Sequence, residues 1–213
     1  MYKLYYYPGN ANLAPHMLLE ELGVPYELAL VDRTKNAQHS AEYLKLNPNG
    51  RIPTLIDGEL VLFETAAICL HLVDSHPEAG LAPAVGTAER AHFYKWLVYL
   101  TNTLQAELIM YFYPERWAKD DSAVAQVKAH AEARVGGMLD LLDRTLAENG
   151  GPYLLGKRLT AVDFYLFMLS RWTRMMHNPA RNRVQLGAFL KMMVERPSVR
   201  RTLEQEGLGE PLF

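Results

Sequence analysis

Pro53 constrains the first third of this chain more than any other residue. It stands in Asn47-Pro48-Asn49-Gly50-Arg51-Ile52-Pro53-Thr54-Leu55-Ile56. The Asn-Pro and Asn-Gly pairs break regular structure, and Thr54-Leu55-Ile56, bounded by Asp57-Gly58, is a short β-type run. A proline at the mouth of such a run cannot donate to a ladder, so it belongs at a strand start or edge. It also pushes Ile52 towards an extended backbone. An extended residue beside a missing N–H keeps its own N–H and C=O available to a second extended chain, such as a bound peptide. Taken by itself, the stretch reads first as an ordinary turn into a strand.

The surroundings give the turn a context. Residues 2–7 are aromatic and apolar, read as a strand, and stop at Pro8-Gly9. The spacing of Met17, Leu18 and Leu22 predicts a helix starting at residue 15 or 16 and running to 22, with Gly23 as its C-terminal cap. A second strand follows over 26–31, so the two strands and their helix form a right-handed βαβ unit. Residues 32–45 are polar, with a short helical turn expected over 41–46. Asp57-Gly58-Glu59 between 54–56 and 60–63 is a hairpin signal, and a helix is expected over 65–75. Residues 1–76 therefore read as one small α/β domain.

Prolines, glycines and alanines make 77–86 a linker. Residues 87–213 read as an all-helical second domain. Phe93, Trp96, Leu97, Leu100 and Leu104 recur at three- and four-residue intervals in a helix over 89–111, which Pro114 ends or kinks. A long helix over 124–148 stops at Asn149-Gly150-Gly151-Pro152. Thr160 and Asp163 form a capping box, with Leu159 and Phe164 at the staple positions, and open a helix expected to reach about Met176. That helix is almost wholly apolar, which places it at the centre of the second core. Shorter helices are expected over 187–195 and 199–205.

Three features in this order carry a family resemblance: Asn-Pro-x-Gly-x-Ile-Pro-x-Leu, the Glu64-Thr65 pair, and Thr160-Ala161-Val162-Asp163 far downstream. Together they make the chain, over essentially its whole length, resemble the cytosolic glutathione transferases, most of all the bacterial beta-class branch. The resemblance implies an α/β plus all-α fold: an N-terminal thioredoxin-like domain that binds glutathione, then a C-terminal helical bundle. It implies a cis Pro53, with the Ile52 backbone holding the cysteinyl unit and Glu64-Thr65 the γ-glutamyl end. It also implies a homodimer, with glutathione as co-substrate and neither metal nor nucleotide.

The activity implied is attack of the glutathione thiolate on a hydrophobic electrophile, or displacement of a leaving group. The residue after Pro-Gly is a serine or an asparagine in several classes of that family, which makes Asn10 the first choice for stabilising the sulfur. Asn10 can donate through its side-chain amide or its backbone N–H. A free thiol titrates near about 8.5, so donors on the sulfur raise the thiolate fraction. The loop 8–12 also runs into a helix N-terminus, where free N–H groups favour an anion. Gly9-Asn10 also reads as a plain turn. Tyr6 matches the strand-one tyrosine that donates to the thiol in other classes, although Tyr5 and Tyr7 beside it dilute the signal. Ala11 stands where the beta-class branch carries a cysteine, and Cys69, in a helix, is no substitute.

Asn12 is a further candidate donor. Thr65 can offer its N–H and hydroxyl to a ligand carboxylate, and Glu64 can pair with an ammonium; plain helix capping explains the same pair. Arg51, Lys35 and His39 are the candidates for the glycine carboxylate. Tyr111, Phe112, Tyr113 and Trp117 around Pro114, with Trp172, Met175 and Met176, form a candidate apolar wall for the electrophile, expected between the domains. Each of these also reads as core or dimer contact.

Composition narrows the alternatives. Hydrophobic residues make up 49% and charged ones 22%, with a net charge of -2, so there is no broad attraction to nucleic acid or anionic membrane. The basic residues Arg171, Arg174, Arg181 and Arg183 read as a solvated face. One cysteine excludes an internal disulfide framework and fits a reducing compartment. The apolar region 60–73 is broken by Glu64 and Thr65 and is too short to span a bilayer. With no signal-peptide pattern at the N-terminus, a cytoplasmic setting is expected. Cys69 and His71 diverge on a helix and are no metal pair. Two rival functions stay open: a glutathione-dependent disulfide reductase or peroxidase, and a non-catalytic binding or regulatory module on the same fold.

Overall fold

The computed structural model describes residues 1–213. The chain divides into two compact units: Met1–Ala82 with Val194–Leu212, and Pro83–Met193 with Phe213.

The first unit is built on a four-stranded sheet. Strand β1 (Tyr2–Tyr6) leads through helix α1 (Leu13–Leu22) to β2 (Tyr26–Leu30). Helix α2 (Ala41–Leu46) precedes the hairpin β3 (Thr54–Asp57) and β4 (Leu60–Phe63), and α3 (Thr65–Ser75) closes the segment. The order is β2-β1-β3-β4, with β1 parallel to β2 and antiparallel to β3. Leu4 on β1 faces Leu55 on β3 in register, and both are fully buried. Leu13, Met17 and Leu18 of α1 and Ile68, Cys69 and Leu72 of α3 complete this core.

Helix α1 starts at Leu13, two or three residues before the expected point. Pro15 falls in the first turn, where a missing N–H breaks no helical bond. Gly23 at φ 65 ends the helix as expected. The polar region after β2 holds two short 3-10 turns, Arg33–Lys35 and Ala37–His39.

The second unit is helical. Helix α4 (Ala88–Tyr99) passes through a π-helical segment, Leu100–Gln105, into α5 (Ala106–Phe112). Helix α6 (Asp121–Glu148) is capped by Asp120, whose Oδ1 accepts the Ala123 N–H at 2.9 Å. Helix α7 (Ala161–Trp172) is buried along nearly its whole length. Asp163 anchors its start, accepting the Thr160 N–H and the Leu154 N–H, each at 2.8 Å. The helix stops at Trp172 rather than Met176. The Thr173 hydroxyl donates to Ser170 O and accepts the Ala180 N–H, and the chain tightens into a 3-10 turn, Thr173–Met175.

Helices α8 (Val184–Val194) and α9 (Pro197–Gln205) follow. The expected second domain, 87–213, is therefore divided differently, because Val194–Leu212 joins the first unit. Two glutamates of α1 bind that segment. Glu21 accepts from Arg196 and from the Ser198 hydroxyl, and Glu20 from Arg201 at 2.6 Å and Gln205 at 3.0 Å.

The basic residues divide: Arg181 is exposed and Arg174 half-buried, so only part of the expected solvated face is present. Arg171 and Arg183 are buried, and Arg183 donates to Asp140 at 2.7 Å and to Gly136 O at 3.0 Å. No helix is long and apolar enough to cross a membrane.

Candidate functional site

The Ile52–Pro53 peptide is cis. The turn before it is braced from three directions. Asn47 Nδ2 donates to Arg51 O at 2.8 Å, and Asn47 Oδ1 accepts the Asn49 N–H at 3.1 Å. The buried Tyr43 hydroxyl also donates to Arg51 O, at 2.7 Å, and lies 3.0 Å from Thr54 Oγ1. Gly50, at φ 59, accommodates the His39 ring, whose Nδ1 lies 2.5 Å from where a Cβ would stand. These bonds hold Arg51 and Thr54, the residues on either side. Ile52 itself makes no hydrogen bond within the chain. A half-buried residue with both backbone groups unspent, on a fixed turn, is prepared to pair with an extended ligand.

Glu64 lies between β4 and α3 with φ 75 and ψ 113, a conformation non-glycine residues rarely adopt. Such strain, about 1–3 kcal/mol, concentrates at ligand sites. The Glu64 side chain is exposed. Thr65 is buried, and its hydroxyl donates to Ala11 O at 3.2 Å, tying the start of α3 to the loop after β1. The first N–H groups of α3 have no acceptor within the helix and carry the positive end of its dipole.

The loop after β1 is fixed by residues far from it in sequence. Gly9 N–H donates to Glu206 Oε2 at 2.8 Å. Glu206 Oε1 accepts from Asn12 Nδ2 and lies beside His16 Nδ1, each at 2.8 Å. The side chains of His16 and Glu206 are fully buried. His16 Nε2 reaches Gln205 Oε1 at 2.7 Å and the Tyr26 hydroxyl at 3.1 Å. Burial, with Glu20 beside it, raises the Tyr26 phenol, so it stays protonated and donates to Glu20.

Within this loop the Asn10 backbone N–H donates to Tyr7 O at 3.1 Å. That removes one of the two donors expected of Asn10. The Asn10 Oδ1 accepts from Arg33 Nη1 at 3.1 Å, which points the amide nitrogen the other way and leaves it to donate. Arg33, which also lies over the Tyr7 ring, was not singled out from the sequence. In a polar loop it reads only as another surface cation.

Asn12 is corrected. It is fully buried, with Nδ2 given to Glu206 and Oδ1 accepting the Tyr7 N–H at 3.1 Å, so both ends of its amide are spent on the fold. The Tyr6 hydroxyl makes no hydrogen bond within the chain. Tyr5, on the other strand face, packs on Tyr43 at 5.7 Å between centroids. Lys35 is exposed and pairs with Asp32 at 3.4 Å. His39 sits against the turn that carries Ile52, and Arg51 is exposed beside it. Burial pushes the Cys69 thiol up and it is fully enclosed, so it is not a nucleophile.

In the second unit, the aromatic residues gather where α5 ends. Phe112 meets Trp172 of α7 edge to face at 6.2 Å and Tyr111 at 5.3 Å. Arg116 lies over the Tyr113 ring at 4.1 Å and Lys128 over the Tyr111 ring at 4.9 Å. Trp117 is half exposed. Met176 is corrected: it is 6% exposed and belongs to the core, because the chain turns after Trp172, while Met175 faces out.

A thioredoxin-like sheet with a cis-proline turn, a strained residue opening α3 and a following helical unit define the class of protein. Residues 1–74 match the model of the glutathione S-transferase N-terminal domain, and residues 102–206 that of the C-terminal domain. The chain is 30% identical over 208 residues to glutathione S-transferase GstA of Escherichia coli O157:H7, covering 97% of this chain and 99% of that protein. Among solved structures it is similar to a Sulfitobacter glutathione transferase homologue with bound glutathione: TM-score 0.88, 28% identity, covering 98% and 99% of the two chains. It is also similar to a beta-class glutathione S-transferase of Sphingomonas chungbukensis: TM-score 0.84, 31% identity, covering 97% and 100%. The chain belongs to the glutathione S-transferase family and is an enzyme of that kind.

Proposed function

We propose that the chain activates glutathione in its first unit and transfers it to a hydrophobic electrophile. The observation that carries this reading is Ile52, with two unspent backbone groups on a turn that Asn47 and Tyr43 hold rigid. Those groups suit the cysteinyl unit of glutathione as a short antiparallel pairing. Glu64 faces the ligand ammonium, and the N–H groups opening α3 face the γ-glutamyl carboxylate. Arg51, with His39 and Lys35 nearby, supplies positive charge for the glycine carboxylate.

The Asn10 side-chain amide donates to the sulfur and Tyr6 is the second donor. Their work is electrostatic. A hydrogen bond to the charged form lowers the thiol pKa, and the proton leaves to solvent. The thiolate then attacks an electrophilic carbon. A carbon–sulfur bond forms as the bond to the leaving group breaks, and the leaving group departs with the electron pair. Tyr111, Tyr113, Trp117 and Trp172 form the face that holds the electrophile.

The beta-class branch, a homodimer and a cytoplasmic setting belong to the same proposal. The Sphingomonas neighbour supports the first, and the exposed Tyr94 and Val98 on α4 support the second. The lone cysteine supports the third.

Two assays separate transfer from disulfide reduction. With glutathione, 1-chloro-2,4-dinitrobenzene should be turned over faster than hydroxyethyl disulfide. The opposite order would make the enzyme a reductase, and no turnover of either would leave a binding module.

A further inference from the structure

The face proposed for the electrophile has one polar group that the fold holds without using up. Gln105 ends the π-helical segment, and the Tyr165 hydroxyl on α7 donates to its Oε1 at 2.5 Å. Tyr165 is 1% exposed, so the oxygen end of the Gln105 amide is anchored to the core. The nitrogen end is not: Gln105 Nε2 makes no hydrogen bond within the chain. A carboxamide clamped through its oxygen has its two N–H donors aimed in a fixed direction, at little further entropic cost.

Its placement matters as much as its orientation. Gln105 and Phe112 are seven residues apart on one continuous helix, two turns along the same face. Tyr165 and Trp172 have the same spacing on α7. Gln105 meets Tyr165 and Phe112 meets Trp172. The two helices are thus joined by a polar rung and an aromatic rung about 10 Å apart. The segment that ends in Gln105 is π-helical, and such widened turns re-aim a side chain and occur often at functional sites.

We infer that Gln105 is a specificity residue, selecting electrophiles that join an aromatic body to a hydrogen-bond acceptor such as a nitro or carbonyl oxygen. The inference rests on the reading of the Tyr111–Trp172 aromatics as the electrophile face. The aromatic body packs against Phe112 and Trp172, and the acceptor meets Gln105 Nε2. Simple satisfaction of the buried Tyr165 hydroxyl uses the oxygen end of the amide and leaves the nitrogen end without a role.

The test compares 4-nitrobenzyl chloride with benzyl chloride as glutathione acceptors. Both react at the same benzylic carbon, with chloride leaving, and they differ in the nitro acceptor. In Gln105→Met the ratio of their kcat/KM values should fall about fivefold from that of the parent enzyme. In Tyr165→Phe, which frees the amide, the ratio should fall about twofold. A ratio unchanged in a Gln105→Met protein that melts cooperatively overturns the inference. Should that variant not fold, an unchanged ratio in Tyr165→Phe does so. Trp172→Ala tests the underlying reading separately. A KM unmoved for both chlorides would contradict the aromatic face, whereas a raised KM with an unmoved Gln105→Met ratio would contradict Gln105 alone.

Discussion

Gly9 and Glu206 are 197 residues apart in sequence, yet the Gly9 N–H donates to Glu206 Oε2 at 2.8 Å. Through the same carboxylate, Asn12 and His16 are held as well. The residue just past α9 therefore sets the backbone of the loop that carries Asn10. Removing Glu206 takes the acceptor from the buried Asn12 amide, leaves the buried His16 ring without its carboxylate neighbour and breaks the tie to the Gly9 N–H. Glu206→Ala should destabilise the chain by about 3 kcal/mol or more, and Glu206→Gln by less because it keeps an acceptor in place. Thermal melts followed by circular dichroism would read this, and an unchanged midpoint for Glu206→Ala would contradict the account.

Gly50 should not tolerate a side chain. Its φ of 59 is left-handed, and a Cβ would meet His39 Nδ1 at 2.5 Å and Gln38 O at 3.2 Å. Gly50→Ala should cost about 1–2 kcal/mol from the backbone conformation alone. Displacing the His39 ring should also disturb the turn that presents Ile52. The expected result is a lower melting midpoint with weaker glutathione binding by calorimetry. Full stability with unchanged affinity would show that the turn adapts freely.

Glu20 gives a pH dependence with a defined sign. Burial acts to raise its carboxyl, but hydrogen bonds from Tyr26, Arg201 and Gln205 outweigh that and the net shift is downward. A carboxyl lowered in the folded state contributes stability above its unfolded pKa, near about 4.3. That contribution is lost as pH falls through the lower folded value. Glu20→Gln should therefore be less stable than the parent at neutral pH, and the gap should close in acid, below about pH 4. A gap that stays constant with pH would contradict this origin.

The Ile52-Pro53 turn, Glu64-Thr65 and the Thr160/Asp163 box were legible because each is local chemistry. A proline, a strand-to-helix junction and a cap announce themselves within a few residues. The Glu206 anchor was not legible, since nothing near Gly9 or Asn12 signals a carboxylate from the end of the chain. Asn12 was misread for that reason: a polar residue in a site loop reads as a donor until its partners are known. Met176 was misread because helical periodicity continues through residues 173–176. The Thr173 hydroxyl bonds to Ser170 and Ala180 that end α7 depend on tertiary placement. Arg33 carried no signal, because one arginine in a polar loop resembles any other.

The measurement that bears most directly on the central claim is an ultraviolet difference titration of bound glutathione, following thiolate absorbance against pH. The account predicts a bound thiol pKa well below that of free glutathione. It also predicts that Asn10→Ala raises that value more than Tyr6→Phe does, since the Arg33 bond to Oδ1 directs the Asn10 amide nitrogen to donate. An unshifted thiol in the parent enzyme, or loss of the thiolate in Tyr6→Phe alone, would contradict it.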